Sequence, residues 1–166
     1  MPRQVPPDVD SVEPFDLMNC THTAMRQAAR QLTQVYDEAI APSGLTSAQA
    51  MLVARLDELG GAPGGTGPSL QALAKRLSIQ ISALTHALRP LVRDGVLELH
   101  ADGKDGRIKR AVLTEQGMKQ TRQMYELWVG VTQRMDNALG EGAGAQLRAL
   151  ATTIASPEFL AAMKGD

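Results

Sequence analysis

Residues 96–113, VLELHADGKDGRIKRAVL, constrain the fold of this chain more than any other stretch. Before them, apolar residues recur three and four apart. Here the period drops to two. Leu97 and Leu99 alternate with Glu98 and His100, and on the return run Ala111 and Leu113 alternate with Arg110 and Val112. Between the runs lies ADGKDG, with two Asp-Gly pairs. The pattern predicts a two-stranded hairpin with a basic tip, set inside a chain whose other segments read as helix.

Those helical segments are legible from apolar spacing and from their stops. From Phe15 to about Ala41 no proline occurs, and Leu17, Ala24, Ala28, Leu32, Val35 and Ala39 fall near helical spacing. Pro42 and Gly44 end that run. Thr46 or Ser47 can cap a second helix to about Leu59. Residues 60–68, GGAPGGTGP, read as a flexible loop that is neither helix nor central strand. Two short helices follow, Ser69–Leu77 and Ile81–Asp94, joined only by SIQ. Pro90 should kink the second or tighten its last turns, and Gly95 can stop it. Thr114 can cap a long helix to Leu139 with one apolar seam of Met124, Trp128, Val131, Met135 and Leu139. After GEGAG, a last helix holds Leu147, Leu150, Ile154, Phe159, Leu160 and Met163.

At 166 residues the chain can form one domain with a real core. Apolar residues are 43% and aromatics only 3%, so aliphatic side chains must fill that core and a mostly helical protein is favoured. The expected class is mainly α with a small β-hairpin, an α+β arrangement. The net charge of -1 implies no polyanionic partner, but its distribution does. Residues 71–110 carry eight cations and four anions, and the remainder nine cations and fourteen anions. The basic centre coincides with the helix pair and the hairpin.

Two short helices joined by a tight turn meet the physical requirement for reading a major groove. One braces the backbone while the other presents side chains to base edges. Leu73, Leu77, Leu84 and Leu88 can form the inner face, with small Ala74 at the crossing. Ser82, Thr85, His86 and Arg89 then share the outer side as a stripe of hydrogen-bonding groups. The hairpin tip suits the adjacent minor groove, where narrow A·T stretches attract an arginine. Arg107 is the candidate for insertion, and Asp105 is expected to hold its guanidinium bidentately. Lys104, Lys109 and Arg110 are expected phosphate contacts.

The stretches LTSAQAMLVARL, LAKRLSIQISALTHALRPLVRDGVLELH and DGRIKRAVLTEQG resemble the MarR family of winged helix-turn-helix transcriptional regulators, over residues 17–155. The most specific element is Asp105-x-Arg107 followed by Ala111, Leu113, Thr114 and Gly117. The resemblance implies a homodimer on pseudo-palindromic double-stranded DNA, with residues 46–114 as the DNA-binding unit. Residues 15–45 and 115–166 would form the helical dimerisation region, and 1–14 a flexible tail. It also implies a repressor released by a small-molecule effector, such as an aromatic acid or its thioester. The effector site would lie where the dimerisation helices meet the winged lobe. Candidate residues are His22, Met25 and Arg26 on the first helix, Met51 and Arg55 on the second, and Tyr125 and Trp128 on the long one. His86 stands where the family pattern more often has a cation.

Cys20 offers a rival trigger, since a thiol near a helix N-terminus can be redox-sensitive. A protein-interaction module without DNA binding is a further alternative. Enzyme chemistry finds no support. The three histidines and one cysteine lack metal-ligand spacing, and there is neither a nucleophile elbow nor a phosphate-loop lysine. No catalytic residue, metal or cofactor is expected. A single cysteine and no apolar run near 20 residues point to a cytoplasmic protein without a membrane partner.

Overall fold

The computed structural model describes residues 20–164. Helix α1 spans Thr21–Ile40, α2 Ser47–Glu58, α3 Leu70–Leu77 and α4 Ile81–Arg93. Strands β1, Leu97–Ala101, and β2, Lys109–Leu113, pair antiparallel, and α5 Glu115–Leu139, α6 Ala143–Ile154 and α7 Pro157–Lys164 complete the chain. The mainly helical architecture with one hairpin is the one read from the sequence.

Local chemistry accounts for the helix starts. Thr46 and Gln49 form a reciprocal capping box on α2, Ser69 accepts from the Ala72 N–H on α3, and Thr114 accepts from the Gly117 N–H on α5. Cys20 caps α1, with Sγ accepting from the Thr23 N–H. The first helix was expected from Phe15; it begins at Thr21, and the expected tail over 1–14 and the 15–19 segment lie outside the described residues.

The winged unit closes around leucines. Leu56, Leu73, Leu84, Leu88, Leu91, Leu97 and Leu113 are each at most 1% exposed, drawn from α2, α3, α4 and both strands. Burying one such side chain stabilises by about 1.5–3 kcal/mol, so this cluster dominates the packing. Leu77, expected on the inner face, is only half-buried. Helices α1 and α2 lie against α5, which ties the winged unit to the outer helices.

Three expectations need correcting. Residues 60–68 are not a free loop. The backbone runs beside β2, where Leu113 N–H donates to Gly61 O (2.7 Å) and Ala111 N–H to Pro68 O (3.1 Å), and Ser69 bridges Arg110. Gly67 has φ +63°, and a Cβ there would meet the Ala111 carbonyl oxygen at 2.0 Å. Gly67 is thus needed for close approach, a role that composition cannot tell apart from flexibility. The same segment covers Val112, expected outward but 8% exposed. Helix α4 carries Pro90 inside it and runs on to Arg93. The last helix is two: α6 ends at Ile154, and Ser156 accepts from the Phe159 N–H to start α7 at Pro157.

Candidate nucleic-acid interface

The turn between α3 and α4 is made by Ser78, which sits in the left-handed region at φ 54°. Ser78 N–H donates to Lys75 O and Ile79 N–H to Ala74 O, both at 3.1 Å, so α3 terminates sharply and α4 leaves at once. The far end of α4 is closed in the same way. Gly95, at φ +69°, donates to Val92 O, and buried Val96 donates to Leu91 O (2.8 Å). Both ends of the helix are therefore fixed by backbone geometry, with its inner face on the leucine cluster.

The outer residues Ser82, Thr85, His86 and Arg89 are all exposed on α4, as their spacing predicts. Thr85 differs from expectation in one respect. Its Oγ1 donates to Ile81 O at 2.8 Å, so its only donor is spent within the helix.

The hairpin pairs Leu97 with Leu113 and Leu99 with Ala111, and its tip spans 102–108. Asp105 does not grip the Arg107 guanidinium; its Oδ1 accepts from the Arg107 backbone N–H (3.0 Å) in a local turn. The guanidinium that is held belongs to Arg110. Its Nε donates to Asp102 Oδ2 (2.5 Å) and its Nη1 to Gly67 O (2.7 Å), which pins the wing to the glycine segment. Arg110 is therefore a structural clamp rather than an open phosphate contact. Asp102 also accepts the N–H groups of Lys104 (2.8 Å) and Asp105 (3.0 Å). The Arg110 guanidinium, then those two N–H groups, hold its carboxyl down at about 2. Sequence reading missed Asp102; the signal was an aspartate opening the turn, eight residues before an arginine across the strand pair. Among the described residues, no ion pair engages His86, Arg89, Lys104, Arg107 or Lys109.

The Leu113-Thr114-x-x-Gly117 run has a packing explanation. Thr114 Oγ1 donates to Gly95 O (2.6 Å) while accepting from Gly117 N–H (2.9 Å), and Thr114 N–H donates to Val96 O (3.1 Å). A Cβ on Gly117 would sit 1.8 Å from the Val96 oxygen. The run therefore sutures the start of α5 to the turn after α4.

A second feature lies between α2 and α5. Ala50, Met51, Ala54, Arg55, Tyr125 and Trp128 line a cleft of about 180 Å³. Tyr125 donates to Asp57 (3.2 Å), and burial followed by the Asp57 charge pushes its pKa up. Arg55 pairs with Glu58, which also receives Arg76 of α3 (2.7 Å). The two guanidiniums, Arg76 foremost, hold the Glu58 carboxyl below its usual range. His22, Met25 and Arg26, expected beside this cleft, do not line it. The contact of α1 with a residue of the cleft is made by Tyr36, whose ring centroid lies 4.7 Å from that of Trp128. Met25 is roughly 16 Å further up the helix axis.

No family model matches the sequence, and no curated protein matches it. Solved structures do. The chain is 32% identical to the M. tuberculosis transcriptional regulator MosR in complex with DNA, covering 80% of this chain and 92% of that one with a TM-score of 0.66. The chain belongs to the MarR family of winged-helix transcriptional regulators. It is a DNA-binding transcriptional regulator, and the proteins it resembles are regulators rather than enzymes. Two further MarR-family structures share the fold. They are E. coli MarR with operator DNA (21% identity, 86% of this chain and 99% of that one, TM-score 0.73) and the repressor CouR on a 23-mer duplex (21%, 87% and 99%, 0.77). CouR has also been solved with p-coumaroyl-CoA (20%, 88% and 99%, 0.73). Among the described residues, no helix is long and apolar enough to cross a membrane.

Proposed function

We propose that this MarR-family chain is a homodimeric, cytoplasmic repressor that binds pseudo-palindromic operator DNA and is released by a small aromatic acid or its thioester. One observation carries the reading. The outward groups of α4 (Ser82, His86, Arg89) and the wing-tip cations Lys104, Arg107 and Lys109 are exposed and unengaged, on elements locked at both ends. In this reading α4 enters the major groove, Arg107 reaches the minor groove, and the lysines neutralise phosphates. Residues 46–114 form the DNA-binding unit, and 15–45 with 115–166 the dimerisation region.

Support for pairing comes from the outer helices. Leu150 is 63% exposed, Leu160 56% and Met163 70%, large apolar side chains that a partner subunit would cover. Support for an effector comes from the α2–α5 cleft. At about 180 Å³ it has room for one aromatic ring, and Arg55 offers a cation to a carboxylate. A thioester's remainder would project outside. Such a ligand acts only through unequal affinity for the DNA-bound and free shapes of the dimer.

The test is a gel-shift titration of the full chain against its own upstream region over a range of salt. Affinity should fall steeply with salt, as phosphate neutralisation releases counterions. A flat response would favour the protein-interaction reading. A second trigger is kept because Cys20 is exposed and Thr23 lies against its Sγ, with Oγ1 at 3.1 Å and the N–H at 3.4 Å. These contacts hold the thiol below its ordinary pKa. If peroxide releases wild type from DNA but leaves Cys20→Ser bound, the thiol is the trigger.

A further inference from the structure

We propose that Ile81 and the γ-methyl of Thr85 read thymine methyl groups in the major groove, so that the operator carries thymine at defined positions in each half-site. This rests on the DNA-binding reading above and adds to it a chemistry of recognition. Residues at the start of a groove-reading helix approach the bases most closely. Ile81 is the first residue of α4 and is 44% exposed. A branched apolar side chain at that position has nothing to donate or accept.

Thr85 lies one turn further on, at i+4, on the same flank. Its hydroxyl proton is committed to Ile81 O at 2.8 Å. The hydroxyl oxygen can then only accept, and the apolar group that the side chain offers on this flank is its methyl. The apolar character of this flank continues. Thr85, Leu88, Val92 and Leu99 line one cleft of about 280 Å³ with Arg89 and Arg93, and Val92 is 39% exposed. In the major groove the apolar group on offer is the thymine 5-methyl, which distinguishes T from C at the same edge.

Duplex DNA rather than protein is the occupant because of the surrounding charge. Arg89 borders the flank without an ion pair among the described residues, and residues 71–110 hold eight cations to four anions. Arg93, on the same edge, is paired with Asp94, so among the described residues Arg89 is the unneutralised cation beside the apolar strip, and that pairing of charge and apolar surface fits an apolar group carried on a polyanion.

The experiment uses the full chain and a duplex selected from a random-sequence pool. The best duplex is remade with deoxyuridine for each thymine in turn, which deletes only the methyl. Wild type should lose about four-fold in affinity at one or two positions per half-site, and about sixteen-fold when symmetric positions change together. Ile81→Ala should lose this discrimination at its position. Thr85→Ser keeps the oxygen and its bond to Ile81 and should lose it at the other. A selected, sequence-specific duplex that tolerates deoxyuridine everywhere would overturn thymine reading while leaving DNA binding intact. Failure to enrich any duplex would overturn both. An Ile81→Ala variant that alters dimer association but still discriminates thymine from deoxyuridine would assign the strip to a protein contact and also overturn the proposal.

Discussion

Arg107 and Arg110 lie three residues apart with the same side chain, yet they have different work. Arg110 is clamped between Asp102 and the Gly67 carbonyl, whereas Arg107 stands exposed at the tip. Replacing Arg107 with alanine should therefore weaken operator binding by more than about 1 kcal/mol without lowering the unfolding midpoint, measured by gel shift and thermal melt. Gly117 tests the opposite kind of residue. Alanine in a helix normally gains about 1 kcal/mol over glycine. Here the new Cβ would press on the Val96 oxygen at 1.8 Å, and overpacking of that kind costs about 3 kcal/mol. Gly117→Ala should destabilise in urea denaturation at matched protein concentration. A stabilised variant would mean the turn after α4 can move.

At the scale of elements, the wing is a hairpin braced by a third, nearly strandless segment. The brace hangs on Asp102, whose folded pKa is about 2 against an ordinary 3.8. A depressed carboxylate contributes stability that is complete above its unfolded value and is lost as pH falls through the folded one. The wing anchor should hold from neutral pH to about 3.8 and fail on the way to about 2. Other carboxylates titrate nearby, so the check is a difference. The stability gap between wild type and Asp102→Asn, measured across that range, should be widest at neutral pH and close on acidification. The glycine segment also explains why element reading failed there. Single hydrogen bonds at Gly61 and Pro68 depend on where β2 lies, and no local pattern encodes them.

For the whole molecule, the uncovered side of α6 and α7 is the feature that a single chain leaves unexplained. Leu150→Glu together with Leu160→Glu, at side chains 63% and 56% exposed, should convert a dimer to monomers in size-exclusion chromatography with light scattering. Operator affinity should fall with it, because two linked half-sites bind far more tightly than one. A double variant that stays dimeric would place the interface elsewhere. The seam on α5 divides along the same lines. Met124 and Val131 are 1% exposed within the fold, whereas Leu139 is 45% exposed toward its far end.

Periodicity, caps and turn residues by themselves determined the element order as far as the long helix α5, the presence of the hairpin and the outward stripe on α4. These depend on bonds between residues a few positions apart, and neighbours in sequence carry all the information. Which of those groups are free was decided only by packing. The Thr85 proton goes to Ile81, Arg110 is turned inward, Asp105 serves its own backbone, and His22, Met25 and Arg26 stand too far up α1 to line the cleft. Each depends on what a distant segment brings to within about 3 Å, a distance at which one hydrogen bond chooses between partners that the linear pattern treats alike.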